Sequence, residues 1–208
     1  MTALLRCRGT LGKIAALFAA EAPARLDWTP EIWPGEPVLT VFAGEDRRHI
    51  AAMRWGLPAD AFAGRRSRAR RGSLFARDLV RGAGTLADPA ALRRCLIVLE
   101  AFAYPDGPPG RRTRAWAGVW DRPLAAWAGV WTGSGAEAGC AGVLTLSNER
   151  IAAVSQHMPV LLAPGDHDSW LNGPGWLLAA TPIAEAAAFY LERTDERWST
   201  GAPFVEGR

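Results

Sequence analysis

Arg94-Cys95-Leu96-Ile97-Val98-Leu99, at residues 94–99, contains the most continuous apolar run of the 208-residue chain. The run is rich in branched side chains, and the segment Asp-Gly-Pro-Pro-Gly at 106–110 ends the apolar region. This pattern predicts a strand that is buried on both faces. We therefore expect residues 94–103 to form the buried central strand of a sheet.

Segments on both sides of this run have the alternation of short strands. The predicted strands are 38–42, 49–55, 142–146 and 158–162, together with a hairpin formed by 115–120 and 125–131 and turning at 121–123. Fewer segments have helical spacing, namely 11–20, 148–154, 166–171 and a last helix from Thr181-Pro182 to about Arg193. Many short strands with few helices predict an α+β, mainly β fold.

Composition limits the classes of protein to consider. No linker-like segment divides the chain, so we expect a single domain over residues 1–208. No apolar run approaches the ~18 residues of a membrane-spanning helix. Cys7, Cys95 and Cys140 are widely spaced, which argues against a zinc site or a disulfide framework and predicts a cytoplasmic protein, with nucleoid association left open. We expect no metal and no cofactor.

The segment 64–73 concentrates positive charge, because it contains Arg65, Arg66, Arg68, Arg70 and Arg71. Five cations in so short a run repel each other, and a nucleic-acid backbone is the commonest partner that offsets this repulsion. A solvated loop is the alternative, since 23 of the 24 basic residues are Arg and only Lys13 is Lys. Most of the ten Trp residues should lie in the core, with one or two free to stack on a base.

A search for catalytic patterns finds no nucleotide-binding, hydrolase or metalloprotease motif. Asp166-His167-Asp168 is better explained as the solvated start of a helix, because adjacent helical residues point in different directions. His157, between a polar turn and a predicted strand, is typical of a structural or surface histidine.

Four short motifs follow one another along the chain: Met53-Arg54-Trp55-Gly56-Leu57, Arg94-Cys95-Leu96-Ile97, Ala128-Gly129-Val130-Trp131 and His157-Met158-Pro159-Val160-Leu161-Leu162. They are similar to M-R-W-G-L, R-C-L-I, A-G-L-W and the end of H-D-R-M-P-V-I-L in the SRAP family, the SOS response-associated peptidase or abasic-site processing proteins. The resemblance is strongest over residues 11–173, and the predicted C-terminal helix and tail, 181–208, follow it.

This resemblance implies a two-sheet, barrel-like β core that binds single-stranded DNA in a basic cleft. In the family, an N-terminal Cys captures the aldehyde of an abasic site as a thiazolidine, supported by an Asn, a Glu and a His. The same Cys is linked to removal of the protein's own leader. An α-amine of pKa ~8 is partly neutral at neutral pH, so its attack on an aldehyde is chemically reasonable.

The sequence departs from the family at each of these four positions. Thr2 stands at the Cys position, Arg68 at the Asn, Tyr104 at the Glu and Ser155 at the His. Cys7 would substitute for Thr2 only if processing made it N-terminal. The retained framework predicts DNA contacts by Arg68, Arg70, Arg71, Trp55 and His157, with Trp55 either supporting the cleft or stacking on a base.

The leading interpretation is a divergent SRAP-like pseudoenzyme that binds single-stranded DNA, with or without abasic sites, and has lost the crosslinking chemistry. One alternative is that the Thr2 amine still forms a Schiff base with an abasic site, as a lyase or crosslinker. Another alternative is a non-catalytic interaction module whose arginine segment meets an acidic partner.

Overall fold

The computed structural model describes residues 4–62, 72–79, 92–173 and 184–198. Short strands dominate this part of the chain: β1 (Leu4–Arg6), β2 (Ala20–Glu21), β3 (Glu31–Ile32), β4 (Pro37–Ala43), β5 (Arg48–Trp55), β6 (Ser73–Phe75), β7 (Arg93–Leu99), β8 (Ala101–Asp106), β9 (Thr113–Val119), β10 (Ala125–Thr132), β11 (Gly139–Leu146), β12 (His157–Pro159), β13 (Leu161–Leu162) and β14 (Phe189–Arg197). The α-helices among them are α1 (Leu11–Phe18), α2 (Glu149–Ala152) and α3 (His167–Asn172). The prediction of an α+β, mainly β fold is confirmed.

The strands form two sheets. The five-stranded sheet has the order β14-β9-β8-β1-β3, and the larger sheet has the order β12-β11-β10-β7-β4-β5-β2, with β6 added on β11 and β13 on β10. In the larger sheet β5 also pairs in parallel with β11, with Arg54 opposite Gly139 and Trp55 opposite Cys140. This pairing closes β11, β10, β7, β4 and β5 into a barrel, as a two-sheet, barrel-like core requires.

The apolar run at 95–99 is the buried centre that its sequence predicts. Strand β7 lies between β10 and β4, and the side chains of residues 95–99 have no exposed surface. The strand stops at Leu99 instead of continuing to residue 103. The Glu100 N–H donates to the Arg6 carbonyl over 2.7 Å, and the Glu100 carboxylate accepts from the Arg8 N–H and Nε. Glu100 is therefore a hydrogen-bonded connection between β7 of the larger sheet and β8 of the five-stranded sheet.

The predicted hairpin of residues 115–120 and 125–131 is wrong. Strand β9 pairs with β8 and β14, whereas β10 pairs with β7 and β11, so the two strands belong to different sheets. The indole of Trp116 is buried in a small cluster on the five-stranded sheet, and the indole of Trp127 is buried in the main core. Because these two side chains are buried in different clusters, the strands that carry them do not pair across the short turn between them.

The predicted last helix to Arg193 is also wrong, because β14 occupies residues 189–197. The alanine-rich stretch 186–188 forms only a single 3-10 turn. The beginning of the predicted helix, at 181–183, lies outside the described residues. Phe189 packs in the core and the strand pairs along β9. Pairing with β9 thus overrides the local helix preference of the alanines.

Other predicted elements are confirmed with small shifts of their ends. Helix α1 begins after Thr10, whose hydroxyl accepts from the Lys13 N–H, and α2 begins after Asn148, whose side chain accepts from the Ile151 N–H. The predicted strand at 158–162 is interrupted: β12 pairs with β11, and β13 pairs with β10. No helix in the described ranges is long and apolar enough to cross a membrane.

The tryptophans lie mostly in the core, as expected. Those at positions 33, 55, 116, 127 and 131 are between 1% and 8% exposed, whereas Trp120 is 65% exposed. Inside the barrel the rings of Trp55 and Trp127 meet edge to face, with their centroids 5.9 Å apart. Trp127 also donates its indole N–H to the Val143 carbonyl over 2.6 Å. This contact fixes β10 against β11.

Gly142 is required because the Trp127 ring lies directly on its backbone. A Cβ added at Gly142 would come within 2.0 Å of Trp127 Cε2, whereas a Cβ at Gly12 in α1 would meet nothing within 4 Å. We expect Gly142→Ala to reduce the free energy of unfolding by about 1–3 kcal/mol, the usual cost of overpacking. Gly12→Ala, the matched control, should leave stability unchanged or raise it by up to about 1 kcal/mol. Urea unfolding of both variants would measure this, and equal stabilities would contradict it.

His167 should make stability depend on pH. Its imidazole is 6% exposed and stacks on Phe18, and burial together with Arg48 and Arg122 lowers its pKa below the ordinary value of 6.5, against opposing effects of Asp166 and Asp168. The unfolded chain protonates this imidazole more readily than the folded chain does. The stability that the neutral imidazole contributes is therefore complete above pH 6.5 and is lost as the pH falls through the folded-state pKa. Between about pH 8 and about pH 5, we expect the free energy of unfolding to fall less for His167→Gln than for the parent protein. Equal losses in urea titrations would exclude this role.

Candidate functional site

Tyr104 and Ser155, which the resemblance predicts to stand at two of the family's catalytic positions, meet at one backbone carbonyl. The Tyr104 hydroxyl donates to the His157 carbonyl over 2.7 Å, and the Ser155 hydroxyl donates to the same oxygen over 2.8 Å. The His157 N–H in turn donates to Ser155 Oγ over 3.2 Å. The fold therefore brings together, from separate segments of the chain, two residues that the resemblance predicts for the site.

The elements that position this group come from both sheets. Tyr104 lies on β8 of the five-stranded sheet, and His157 begins β12, where it pairs with Leu146 of β11. Ser155 lies in the connection that follows α2, and the Asn148 cap of that helix also donates to the Ala184 carbonyl over 3.2 Å. We call Tyr104, Ser155 and His157 the hydroxyl cluster.

The chemistry of the hydroxyl cluster is that of hydrogen-bond donors. Burial raises the pKa of Tyr104 well above its ordinary value of 10, and a hydrogen bond with Ser155 opposes this rise only in part. The phenol consequently stays protonated at neutral pH and cannot serve as a general base there. A glutamate and a histidine at these two positions would offer proton acceptors, which a buried phenol and an aliphatic hydroxyl do not.

His157 presents an imidazole beside the cluster. Its ring meets the edge of the Phe75 ring with centroids 4.8 Å apart. The His157 Nδ1 atom is buried, and no residue of the described chain gives it a hydrogen bond. Phe75 and Leu146 were not expected from the sequence at this place, although the alternation of Ser73-Leu74-Phe75 is that of a short strand.

Trp55 supports the site from inside the barrel. Its side chain is 2% exposed, and its indole N–H donates to the Gly72 carbonyl over 2.7 Å. The Gly142 N–H donates to the same carbonyl over 3.0 Å. At this burial the indole has no exposed face on which a base could stack.

Several predicted site residues lie outside the described chain. They are Thr2, Arg68, Arg70 and Arg71. In the described chain, Leu4 of β1 lies opposite Ala103, the residue that precedes Tyr104, and the Gly72 carbonyl accepts from the Trp55 indole. No group of three or more His, Cys, Asp or Glu side chains that could hold a metal occurs in the part of the chain that is described.

Cys7 is built into the fold rather than presented for catalysis. Its side chain is buried, its N–H donates to the Pro30 carbonyl over 2.9 Å, and its own carbonyl accepts from the Trp28 indole. Burial, with help from the Glu100 charge, raises the pKa of the thiol to about 12. Removing residues 1–6 would also delete β1, which lies between β8 and β3. These contacts argue against Cys7 as a processed N-terminal nucleophile.

The fold is shared with solved structures of low sequence identity. A protein from Bordetella bronchiseptica superposes with a TM-score of 0.73 and 17% identity, covering 93% of this chain and 99% of that chain. A protein from Bacteroides thetaiotaomicron gives a TM-score of 0.73 at 13% identity, covering 91% and 90%, and a phage-related protein from Bordetella bronchiseptica gives 0.68 at 17%, covering 93% and 94%. At these identities the likeness establishes the fold alone.

The family is established by the sequence itself. The family model of the SOS response associated peptidase, SRAP, matches residues 5–192. The chain belongs to the SRAP family, as the four motifs indicated, and through it to a group of proteins associated with the response to DNA damage. Among curated proteins, none matches the chain.

The shared carbonyl predicts that Tyr104 and Ser155 act as a pair in stability. Tyr104→Phe and Ser155→Ala should each cost about 0.5–1.5 kcal/mol, because the other hydroxyl still donates to the His157 oxygen. The double variant removes both donors and should cost more than the sum of the two single changes. A double-mutant cycle by urea unfolding measures the coupling. Strict additivity would show that the two hydroxyls act independently.

Proposed function

We propose that this chain is a single-stranded-DNA-binding SRAP protein in which the crosslinking and autopeptidase chemistry has been lost. The observation that carries the proposal is the hydroxyl cluster: at two positions where the family has an acid and a histidine, this chain has two hydroxyl donors that share one backbone carbonyl. The framework around them retains the family fold.

DNA binding is supported by the charge of the sequence and its attachment to the fold. Segment 64–71 contains five arginines and is followed at once by Gly72, which hydrogen bonds with the Trp55 indole and β11. Family membership makes DNA the most reasonable polyanion. In this proposal Arg68, Arg70 and Arg71 contact phosphates, and His157 lies beside the strand.

Loss of chemistry is supported by the residues that replace the catalytic ones. The α-amine of Thr2 remains a possible nucleophile, but its hydroxyl would close an oxazolidine, which hydrolyses more readily than a thiazolidine. In addition, the protonated Tyr104 phenol provides no base for the reaction. The proposal therefore separates recognition of DNA, which persists, from formation of a durable adduct, which does not.

Binding can be tested by fluorescence anisotropy with matched single-stranded oligonucleotides, one intact and one with a central abasic site, at low and high salt. We expect the parent protein to bind, and the triple change of Arg68, Arg70 and Arg71 to Glu to weaken binding about tenfold or more. The salt slope should also fall by about 2, since each lost phosphate contact removes roughly 0.7 for single strands.

A matched control changes Lys13, Arg25 and Arg47 to Glu, three exposed cations elsewhere that alter the net charge equally. This control should retain most of the affinity. Equal losses in the two triple variants would show that only net charge matters. Polyglutamate and an unlabelled oligonucleotide can be compared as competitors at equal concentrations of negative charge. If polyglutamate displaced the labelled oligonucleotide at the lower concentration, the acidic-partner alternative would be favoured instead.

The absence of durable chemistry has its own test. We expect no stable adduct after the protein is incubated with an abasic oligonucleotide, and no borohydride-trapped adduct above that of an N-terminally acetylated control. Denaturing gels would measure both. A trapped adduct that acetylation abolishes would contradict the proposal and establish the Thr2 amine as an active lyase nucleophile.

A further inference from the structure

One face of β11 carries a row of residues that runs from the barrel interior to the neighbourhood of the hydroxyl cluster. On β11, alternate residues share a face, so Gly142, Leu144 and Leu146 lie on the side where Trp127 covers Gly142. The row starts within the barrel, and Leu144 is only 7% exposed, but Leu146 is 60% exposed. A large apolar side chain is thus presented to solvent at the end of the strand that flanks the candidate site.

Two ring side chains border this exposed leucine. Strand register puts His157 opposite Leu146 and Phe75 beside Leu144, so all of them project to the same side of the sheet. The rings of Phe75 and His157 are in contact, and both residues are half-buried. We call Phe75, Leu146 and His157 the shelf.

The shelf combines an exposed aliphatic side chain with the sides of two rings. Leu146 is 60% exposed, and the half-buried Phe75 and His157 rings lie against each other next to it. A planar base matches such a surface, since its face packs on apolar and ring side chains.

We propose that the shelf holds an unpaired nucleobase of single-stranded DNA, with Leu146 as a binding residue for the base. This inference rests on the proposed function and deepens it by adding a contact to bases beside the contacts to phosphates. A paired base is excluded by this arrangement, because its faces and edges are occupied within the duplex. The five arginines of segment 64–71 precede β6 in the sequence, and the proposed function assigns the contacts with the DNA backbone to them.

The test compares short oligothymidylate with an oligomer of equal length in which every nucleotide is an abasic tetrahydrofuran analogue. Both carry the same phosphates, so their affinity ratio reports the contribution of bases. We expect the parent to prefer oligothymidylate about fivefold or more, and Leu146→Ala to reduce this ratio at least about threefold with an unchanged salt slope. Leu17→Ala is the control, because Leu17 is 54% exposed and lies on α1, which contributes no residue to the shelf.

A second measurement locates the base directly. An oligonucleotide containing 5-iodouracil, irradiated in the complex, should crosslink to Phe75 or His157, as identified by peptide mass spectrometry. Crosslinks confined to other regions, or a Leu146→Ala variant with an unchanged preference for bases, would overturn the shelf while leaving phosphate-based DNA binding intact. Failure of the parent to bind either oligomer would overturn the proposed function itself, and the shelf with it.

Discussion

The closure of the barrel by β5 and β11 is the constraint on which the rest of the structure depends. The end of β5 reaches β11 through parallel pairing at Arg54 and Trp55, and the Gly56 N–H continues the contact by donating to the Cys140 carbonyl over 2.7 Å. Trp55 then holds the Gly72 carbonyl, and β6 follows along β11. Without this closure Phe75 would not be held beside His157.

The two sheets contribute different components to the site. The five-stranded sheet supplies Tyr104 on β8 and pairs Leu4 of β1 with Ala103, while the barrel supplies β6, β11 and β12. The phenol of Tyr104 bridges the two sheets at the His157 carbonyl. Tyr104 therefore has a clear structural role, because its hydrogen bond joins the five-stranded sheet to the barrel.

Much of the fold followed from the sequence because its signals were local. The apolar run of β7 and the alternation of β4 and β5 each depend on neighbouring residues, and the structure has strands there as predicted. The failures concern pairing. Strands β9 and β10 look like a hairpin, and the alanines before β14 look like a helix, because no local pattern reveals which distant strand a segment joins. The site was accessible only in part: family motifs pointed to Tyr104, Ser155 and His157, whereas Phe75 and Leu146 depend on strand register.

The path of the chain between the sheets has a consequence for how the protein folds. The chain crosses from the barrel to the five-stranded sheet at Glu100 and crosses back through residues 120–124, so consecutive strands repeatedly lie in different sheets. Neither sheet can therefore be assembled from one contiguous piece of chain. Such a topology requires many long loops to close before contacts stabilise them, which favours slow and highly cooperative folding. The two sheets are thus one thermodynamic unit, and a fragment that ends between them would lack the partners of its central strands.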